Sequence, residues 1–201
     1  LASCLFGQQQ PSRDVSKETA RSSQDWVRDA VIYQIWERAY SQKGDFSSIT
    51  ADLDRIKNLG VDVLWLMPVH PIGQVKKKGS IGSPYAVRDY YGVNPDYGTP
   101  GDLKRLVAEA HKRGLKVIID VVVNHTAWDN KLITEHPEFY KKNEKGEIIP
   151  PVPDWADVAG LDYEKSAVRK YIIENFRSWI RDYDLDAFRC DVSLFIPTDF
   201  W

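Results

Sequence analysis

The distribution of apolar positions divides most of the chain into alternating strand-like and helix-like segments. Strand-length apolar runs occupy residues 31–36, 63–67, 116–123 and 186–191. Between them, apolar residues recur every three or four positions, as on the buried side of a helix. These residues are Ile49, Leu53, Ile56 and Leu59 in the first predicted helix, Leu103, Leu106, Val107 and Ala110 in the second, and Val168, Ile172, Phe176 and Ile180 in the third. The pattern predicts a strand-and-helix unit that repeats along the chain.

The residues at the predicted helix ends agree with this division. Gly60 and Gly114 follow the first and second helices, where glycine commonly ends a helix. Thr99 and Pro100 have the residue types of an N-cap and a first helical position. The third helix is predicted to span residues 166 to about 183.

Strands that alternate with helices indicate an α/β protein with a parallel sheet, either doubly wound or half of an eight-stranded barrel. The two long loops, residues 68–98 and 124–164, both follow strands. They therefore gather at the carboxyl ends of the strands, where barrel enzymes build their active sites. No glycine-rich phosphate signature follows the first strand, which argues against a dinucleotide fold. The chain is predicted to supply about the first four units of a (β/α)8 TIM barrel.

The composition argues against some classes of binding partner. The sequence of 201 residues is 43% hydrophobic and 28% charged, with a formal net charge of -2, so it has no electrostatic footprint for nucleic acid. The lysine run at residues 76–78 is interpreted as a solvated loop. Seven Trp and ten Tyr suit ligands with both an apolar face and hydroxyls, such as sugars, although a large core also uses such residues.

The first four residues, Leu-Ala-Ser-Cys, resemble the lipobox at which a bacterial lipoprotein is cleaved and lipidated. Residues 1–24 would then be a lipobox remnant and a polar, flexible tether, and residues 25–201 the barrel segment. This predicts an exported lipoprotein, periplasmic or on the cell surface, whose membrane contact is an anchor at Cys4. Chance occurrence of so short a pattern is the alternative. Cys190 lies in the last predicted strand and is interpreted as a core residue rather than a disulfide partner of Cys4.

Candidate chemistry lies at the end of the fourth strand. Arg189 and Asp191 are two residues apart and so share one face of that strand. A neighbouring guanidinium favours the charged form of a carboxyl group, which a nucleophile requires. A purely structural ion pair is the alternative.

Three segments resemble the signatures of the α-amylase family, glycoside hydrolase family 13. Residues 120–125, Asp-Val-Val-Val-Asn-His, resemble its first signature, and residues 188–191, Phe-Arg-Cys-Asp, resemble its second. Residues 83–99 resemble the segment that follows the second strand in this family. The resemblance covers residues 25–201 and implies the N-terminal half of the catalytic barrel.

The resemblance implies a role for each candidate residue. Asp191 would be the nucleophile that forms a covalent glycosyl-enzyme intermediate, and Arg189 would orient it and keep it charged. His125 would hydrogen-bond sugar hydroxyls and Tyr85 would stack on the same sugar ring, although a structural histidine and a packing aromatic are the alternatives. Asp120 is expected to be a structural, hydrogen-bonding carboxylate inside the barrel.

A calcium site is left open by the same resemblance. Asn124 matches a position that binds calcium in many family members, although an amide that fixes the loop is an equal alternative. Gly160 stands where many members carry an aspartate ligand, and calcium takes ~6–8 oxygen ligands. Asp157 or Asp162 could substitute for the missing carboxylate.

The implied activity is that of a retaining glycosidase that cleaves α-1,4-linked glucans or maltooligosaccharides by double displacement. Retention needs a second carboxyl as acid and base. The family supplies it as a Glu after the fifth strand, and residues 192–201 hold no match to it. We therefore expect the 201 residues alone to be inactive, and their exposed edge strands to favour self-association. A transglycosylase of the same family and a non-catalytic glycan-binding relative are the alternatives.

Overall fold

The computed structural model describes residues 14–19 and 22–201. The lipobox-like residues, with Cys4, lie outside these ranges, so lipidation there stays a prediction. Within the described part of the chain, no helix is both long enough and apolar enough to cross a bilayer.

Helices and short strands alternate along the described chain. In chain order these elements are α1 (Trp26–Asp29), β1 (Ile32–Ile35), α2 (Glu37–Tyr40), α3 (Phe46–Ala51), α4 (Leu53–Asn58), β2 (Val63–Leu66), α5 (Pro100–Lys112), β3 (Lys116–Val121), β4 (His125–Ala127), α6 (Leu132–Glu135), β5 (Val158–Gly160), α7 (Ser166–Tyr183) and β6 (Ala187–Cys190). Single turns of 3-10 helix cover Pro137–Phe139 and Ser193–Phe195.

Four of these strands form one parallel sheet, in the order β1-β2-β3-β6. The four strand-like runs of the sequence are thus confirmed, and the arrangement is that of part of a barrel, with β1 and β6 at the two edges. Strands β4 and β5 pair antiparallel in a separate sheet. They lie within residues 124–164, which the sequence predicts only as a loop.

The first predicted helix is divided in two. The helix is interrupted at Asp52, between α3 and α4. The Asp52 carboxylate accepts hydrogen bonds from Tyr40 and Arg55. The apolar stripe nevertheless continues across the break, because Ile49, Leu53 and Ile56 are all buried. Leu59, which the spacing assigned to the same stripe, is instead 59% exposed, since it lies beyond the last turn at the C-cap of α4.

The other two predicted helices begin and end close to the expected residues. Thr99 and Asp102 form a reciprocal capping box at the start of α5, which explains why the helix begins there. Helix α7 ends at Asp184, a left-handed residue with φ of +57°.

One hydrophobic core fills the space between the sheet and the helices. Its fully buried members come from the strands and from α3, α4, α5 and α7, and include Ile35, Leu64, Leu66, Val117, Ile119, Phe46, Ile49, Leu103, Leu106 and Trp179. Cys190 is half-buried and packs against this core. The core fixes the sheet so that the carboxyl ends of its strands lie side by side.

Candidate active site

Asp191 lies at the carboxyl end of the sheet. Its backbone N–H donates to the carbonyl oxygen of Val121 at 3.0 Å, so it extends the pairing between β6 and β3 by one residue. The next residue, Val192, has φ of +43° in the left-handed region, which β-branched residues rarely adopt. The chain therefore turns sharply directly after Asp191.

A three-residue ion cluster surrounds this strand end. Arg189 Nη1 lies 2.7 Å from Asp191 Oδ1 and 3.0 Å from each carboxylate oxygen of Asp120. The hydroxyl of Tyr85 donates to Asp120 Oδ2 at 3.2 Å. The structure thus brings three sequence-predicted site residues, Asp191, Arg189 and Tyr85, together around Asp120.

The sheet register explains this cluster. Asp120 in β3 is the direct partner of Arg189 in β6, and residues paired across parallel strands point to the same side of the sheet. The Asp120 side chain is fully buried, and burial raises its pKa to about 6, a shift that the Arg189 guanidinium opposes. Arg189 also lies over the ring of Trp65, with 5.2 Å between the guanidinium carbon and the ring centroid. Asp120 is held by hydrogen bonds inside the sheet, in agreement with its predicted structural role.

His125 begins β4 and is buried beside this cluster. Its Nδ1 lies 3.3 Å from Asn124 Nδ2, and its ring also hydrogen-bonds the backbone of Tyr85. Burial lowers the pKa of His125 to about 4, although the nearby Asp191 charge opposes that shift. The imidazole is therefore neutral at pH 7.

Tyr85 is anchored by its hydroxyl. Burial, and next the charge of Asp120, raise the pKa of Tyr85 to about 12, so the phenol stays protonated and can donate to Asp120. The residue is half-buried, so part of it is accessible to solvent. Stacking of the ring on a sugar stays a prediction.

Asn124 fixes local backbone. The residue is buried, its carbonyl oxygen accepts from Leu161 N–H at 3.0 Å, and its side-chain amide lies beside the His125 ring. These contacts are those of an amide that fixes the loop, the alternative that the sequence leaves open for this residue.

Calcium at Asn124 stays a prediction, and two nearby residues, Gly160 and Asp157, bear on it. Gly160 pairs with His125 across β4 and β5, and a Cβ at Gly160 would lie 3.0 Å from the Pro151 backbone, so an acidic side chain there would press on that backbone. Asp157 is engaged by Lys78 at 2.9 Å. Across residues 14–19 and 22–201, no three His, Cys, Asp or Glu side chains gather as metal ligands would.

Trp155 is a site residue that the sequence-based candidates omit. Its ring centroid lies 5.6 Å from that of His125 at an interplanar angle of 72°, and 5.8 Å from that of Phe195. Gly160, five residues further along, is already compared from sequence with a family position, and that comparison is the signal that could have drawn attention to Trp155. Its contact with His125 depends on the β4–β5 pairing, which sequence periodicity does not predict.

Known proteins resemble this chain over most of its length. The family model described as "Alpha amylase, catalytic domain" matches residues 14–148. The trehalose-6-phosphate hydrolase of Bacillus subtilis is 33% identical over 87% of the chain and 36% of its own length.

Solved structures give the same result for the fold. An α-amylase from Lactobacillus plantarum superposes with a TM-score of 0.82 at 47% identity, over 86% of this chain and 40% of that one. A maltogenic α-amylase from Thermotoga neapolitana gives 0.81 at 43% identity, over 86% and 41%. The chain thus spans between 36% and 41% of the length of these three proteins.

Proposed function

Because the chain belongs to the α-amylase family, we propose that the whole protein is a retaining glycosidase that hydrolyses α-1,4 linkages in α-glucans or maltooligosaccharides. The observation that carries the proposal is the position of Arg189, whose Nη1 contacts both Asp191 and the buried Asp120. A cation fixed in this way orients a carboxylate at a strand end.

Asp191 is the proposed nucleophile. Its carboxylate oxygen attacks the anomeric carbon, the bond from that carbon to the glycosidic oxygen breaks, and a second carboxyl group protonates the departing oxygen. The same second group then takes a proton from water, which displaces Asp191 and restores the free enzyme. By the family resemblance the second group is a Glu that follows the fifth strand of the barrel. The described part of the chain holds four barrel strands, β1, β2, β3 and β6, so this Glu lies outside these 201 residues.

His125 and Tyr85 are the proposed sugar-binding residues. A neutral imidazole can donate or accept a hydrogen bond with a sugar hydroxyl without adding charge to the site. Tyr85, held through its hydroxyl by Asp120, offers its ring to the apolar face of a sugar. Both residues lie beside Arg189 and Asp191, as a cleavage point requires.

The test is an assay of the whole protein on maltooligosaccharides, an α-1,6-linked disaccharide and trehalose 6-phosphate, followed by NMR. We expect maltooligosaccharides to be cleaved fastest, with the α-anomer appearing first because two displacements retain configuration. Faster cleavage of either other sugar would overturn the proposed linkage, and longer oligosaccharides as main products would indicate a transglycosylase.

The matched variant is Asp191→Asn, which keeps the shape of the side chain and removes its nucleophilic charge. We expect a loss of activity of about 10⁴-fold or more, with sugar binding retained. A wild-type protein that binds these sugars without turning any of them over would favour the glycan-binding alternative.

A further inference from the structure

Trp155 lies on a turn, residues 154–157, that is held from outside by several contacts. The turn belongs to the segment between β4 and β5, and its own backbone bond runs from Val158 N–H to the Trp155 carbonyl at 3.2 Å. The Trp155 ring packs edge-on against His125 and also contacts Phe195, which closely follows Asp191. The position of this turn therefore decides where an aromatic ring stands beside the proposed sugar site.

Lys78 makes two contacts with the turn, one on each side of Trp155. Its Nζ donates to the Asp154 carbonyl oxygen at 3.1 Å and forms an ion pair with Asp157 Oδ1 at 2.9 Å. Asp157 is only 7% exposed, although the Lys78 side chain is 58% exposed, so loss of the pair would leave a mostly buried carboxylate without a counter-charge. Lys78 thus contacts the residue before Trp155 and the residue two positions after it.

Lys76 supports the same turn indirectly. Trp128 Nε1 donates to the Ala156 carbonyl oxygen at 2.9 Å, and Lys76 Nζ lies 3.7 Å from the centroid of the Trp128 ring. This cation–π contact is made from a left-handed backbone position, since Lys76 has φ of +57°. The third lysine differs, because Lys77 donates to Gln74 Oε1 within its own loop at 2.8 Å.

The backbone of the loop after β2 also contacts side chains of the segment after β3. Gln74 N–H donates to Asp129 Oδ2 at 2.9 Å, and a Cβ on Gly73 would lie 2.2 Å from the Cβ of Ala127. Such close approach requires a glycine, so the loop after β2 is fitted against the start of the long segment after β3. The lysine run is interpreted from sequence as a solvated loop. Two of its members, Lys76 and Lys78, contact the segment after β3.

We propose that Lys78, supported by Lys76, is a positioning residue that fixes residues 154–157 and so holds Trp155 against His125 where the sugar binds. The proposal rests on the proposed function of the same site. A turn that is fixed before the sugar arrives does not have to be ordered on binding, which lowers the cost of association. Trp155 contacts the bound sugar before and during the reaction, so the effect belongs to KM rather than to kcat.

The kinetic test compares Lys78→Met with Lys77→Met in the whole protein, on maltooligosaccharides. Lys78→Met keeps the length of the side chain and removes its charge, and Lys77→Met is the matched control in the same run. We expect KM to rise about tenfold in Lys78→Met with kcat within about twofold, and no change in the control. Lys78→Arg, which restores a cation, should recover most of the affinity.

A second readout does not depend on activity. With 5-fluorotryptophan incorporated, the ¹⁹F resonance of Trp155 can be assigned by its absence in Trp155→Phe. We expect Lys78→Met to shift or broaden this resonance and Lys77→Met to leave it in place. If Lys78→Met does not fold, the double variant Lys78→Met/Asp157→Asn removes both charges and should give the same spectral change.

The outcomes separate the two claims. Equal KM values and equal Trp155 resonances in the Lys78 and Lys77 variants would overturn the positioning role while leaving the glycosidase intact. A Trp155 resonance that depends on Lys78, in a protein without activity on any sugar tested, would support the positioning role of Lys78. It would overturn the proposed glycosidase function.

Discussion

The guanidinium of Arg189 and the carboxylate of Asp191 are joined by a 2.7 Å hydrogen bond across a strand end, and the same guanidinium nitrogen reaches Asp120. Arg189 is therefore shared between a buried carboxylate and one at the mouth of the sheet. A shared cation makes the two acids interdependent, because a change at either one alters the position and charge balance of the other.

Removing this cation should cost both activity and stability. For Arg189→Met in the whole protein we expect kcat/KM to fall by about 100-fold or more, because Asp191 loses its positioning partner. We expect the free energy of unfolding to fall by about 1–3 kcal/mol, an amount discounted because Arg189 is 37% exposed.

The double variant Arg189→Met/Asp120→Asn distinguishes the two effects. It should regain stability in urea unfolding, because Asp120 no longer needs a counter-charge, but it should not regain activity. Activity of Arg189→Met within about threefold of wild type would show that the pair is structural only.

Acid should destabilise the fold through His70. This histidine is buried, its Nδ1 lies 3.3 Å from the Gly92 carbonyl oxygen, and its ring packs against Trp179. Burial lowers its pKa from 6.5 to about 4, so between these values the unfolded chain binds the proton and the folded chain does not. The contribution of His70 to stability should therefore fall as pH decreases through this window.

Urea unfolding at pH 7 and pH 5 tests this sign. His70→Gln should reduce the pH dependence without abolishing it, because burial lowers the pKa of His125 in the same direction. The same difference in stability between pH 7 and pH 5 in His70→Gln and in the wild type would contradict this role of His70.

Glu37 should weaken the fold at neutral pH. The residue is fully buried at the start of α2, and neither of its carboxylate oxygens has a hydrogen-bond partner among the described residues. Burial raises its pKa well above 4.5, so the stability present below that pH is lost as pH rises toward the folded-state pKa. We expect Glu37→Met to stabilise the protein at pH 7 by about 1–3 kcal/mol and to have little effect near pH 4.

Thermal melts of the wild type and Glu37→Met at pH 7 and near pH 4 measure this difference. Glu37→Gln is a control that keeps the shape of the side chain and removes its charge. Loss of stability in both variants at pH 7 would show that Glu37 has a favourable partner in the protein.

The edges of the sheet should make the isolated 201-residue chain associate. Within the described part of the chain, strands β1 and β6 each pair with a neighbour on one side only, and Val31 and Ile32 are 52% and 55% exposed. Unpaired strand edges with apolar side chains pair readily with other chains. Light scattering after size exclusion should show oligomers, and a monodisperse monomer with a cooperative melt would count against this prediction.

Much of the fold follows from local patterns. The parallel strands, α5 and α7 are predicted because each carries its own apolar run or helix-end residues, as at Thr99. The meeting of Asp120 and Arg189 also follows in outline, since parallel strands bring their carboxyl ends together.

Contacts between distant loops do not follow from such patterns. The bond from Lys78 to Asp157 depends on how two irregular segments pack, and neither segment has a period that reports its partner. Glu37 is likewise hidden from sequence reasoning, because a glutamate next to an arginine suggests an exposed turn rather than a fully buried carboxylate.

The most direct test of the central claim is to trap the covalent intermediate in the whole protein. With 5-fluoro-α-glucosyl fluoride, attack by the nucleophilic carboxylate expels fluoride and leaves a slowly hydrolysed sugar ester on the protein. Peptide mass spectrometry should place a single fluoroglucosyl group on Asp191, and Asp191→Asn should carry none. A sugar ester on another carboxylate, or turnover that inverts the anomeric carbon with no ester formed, would contradict the assignment of Asp191 as the nucleophile.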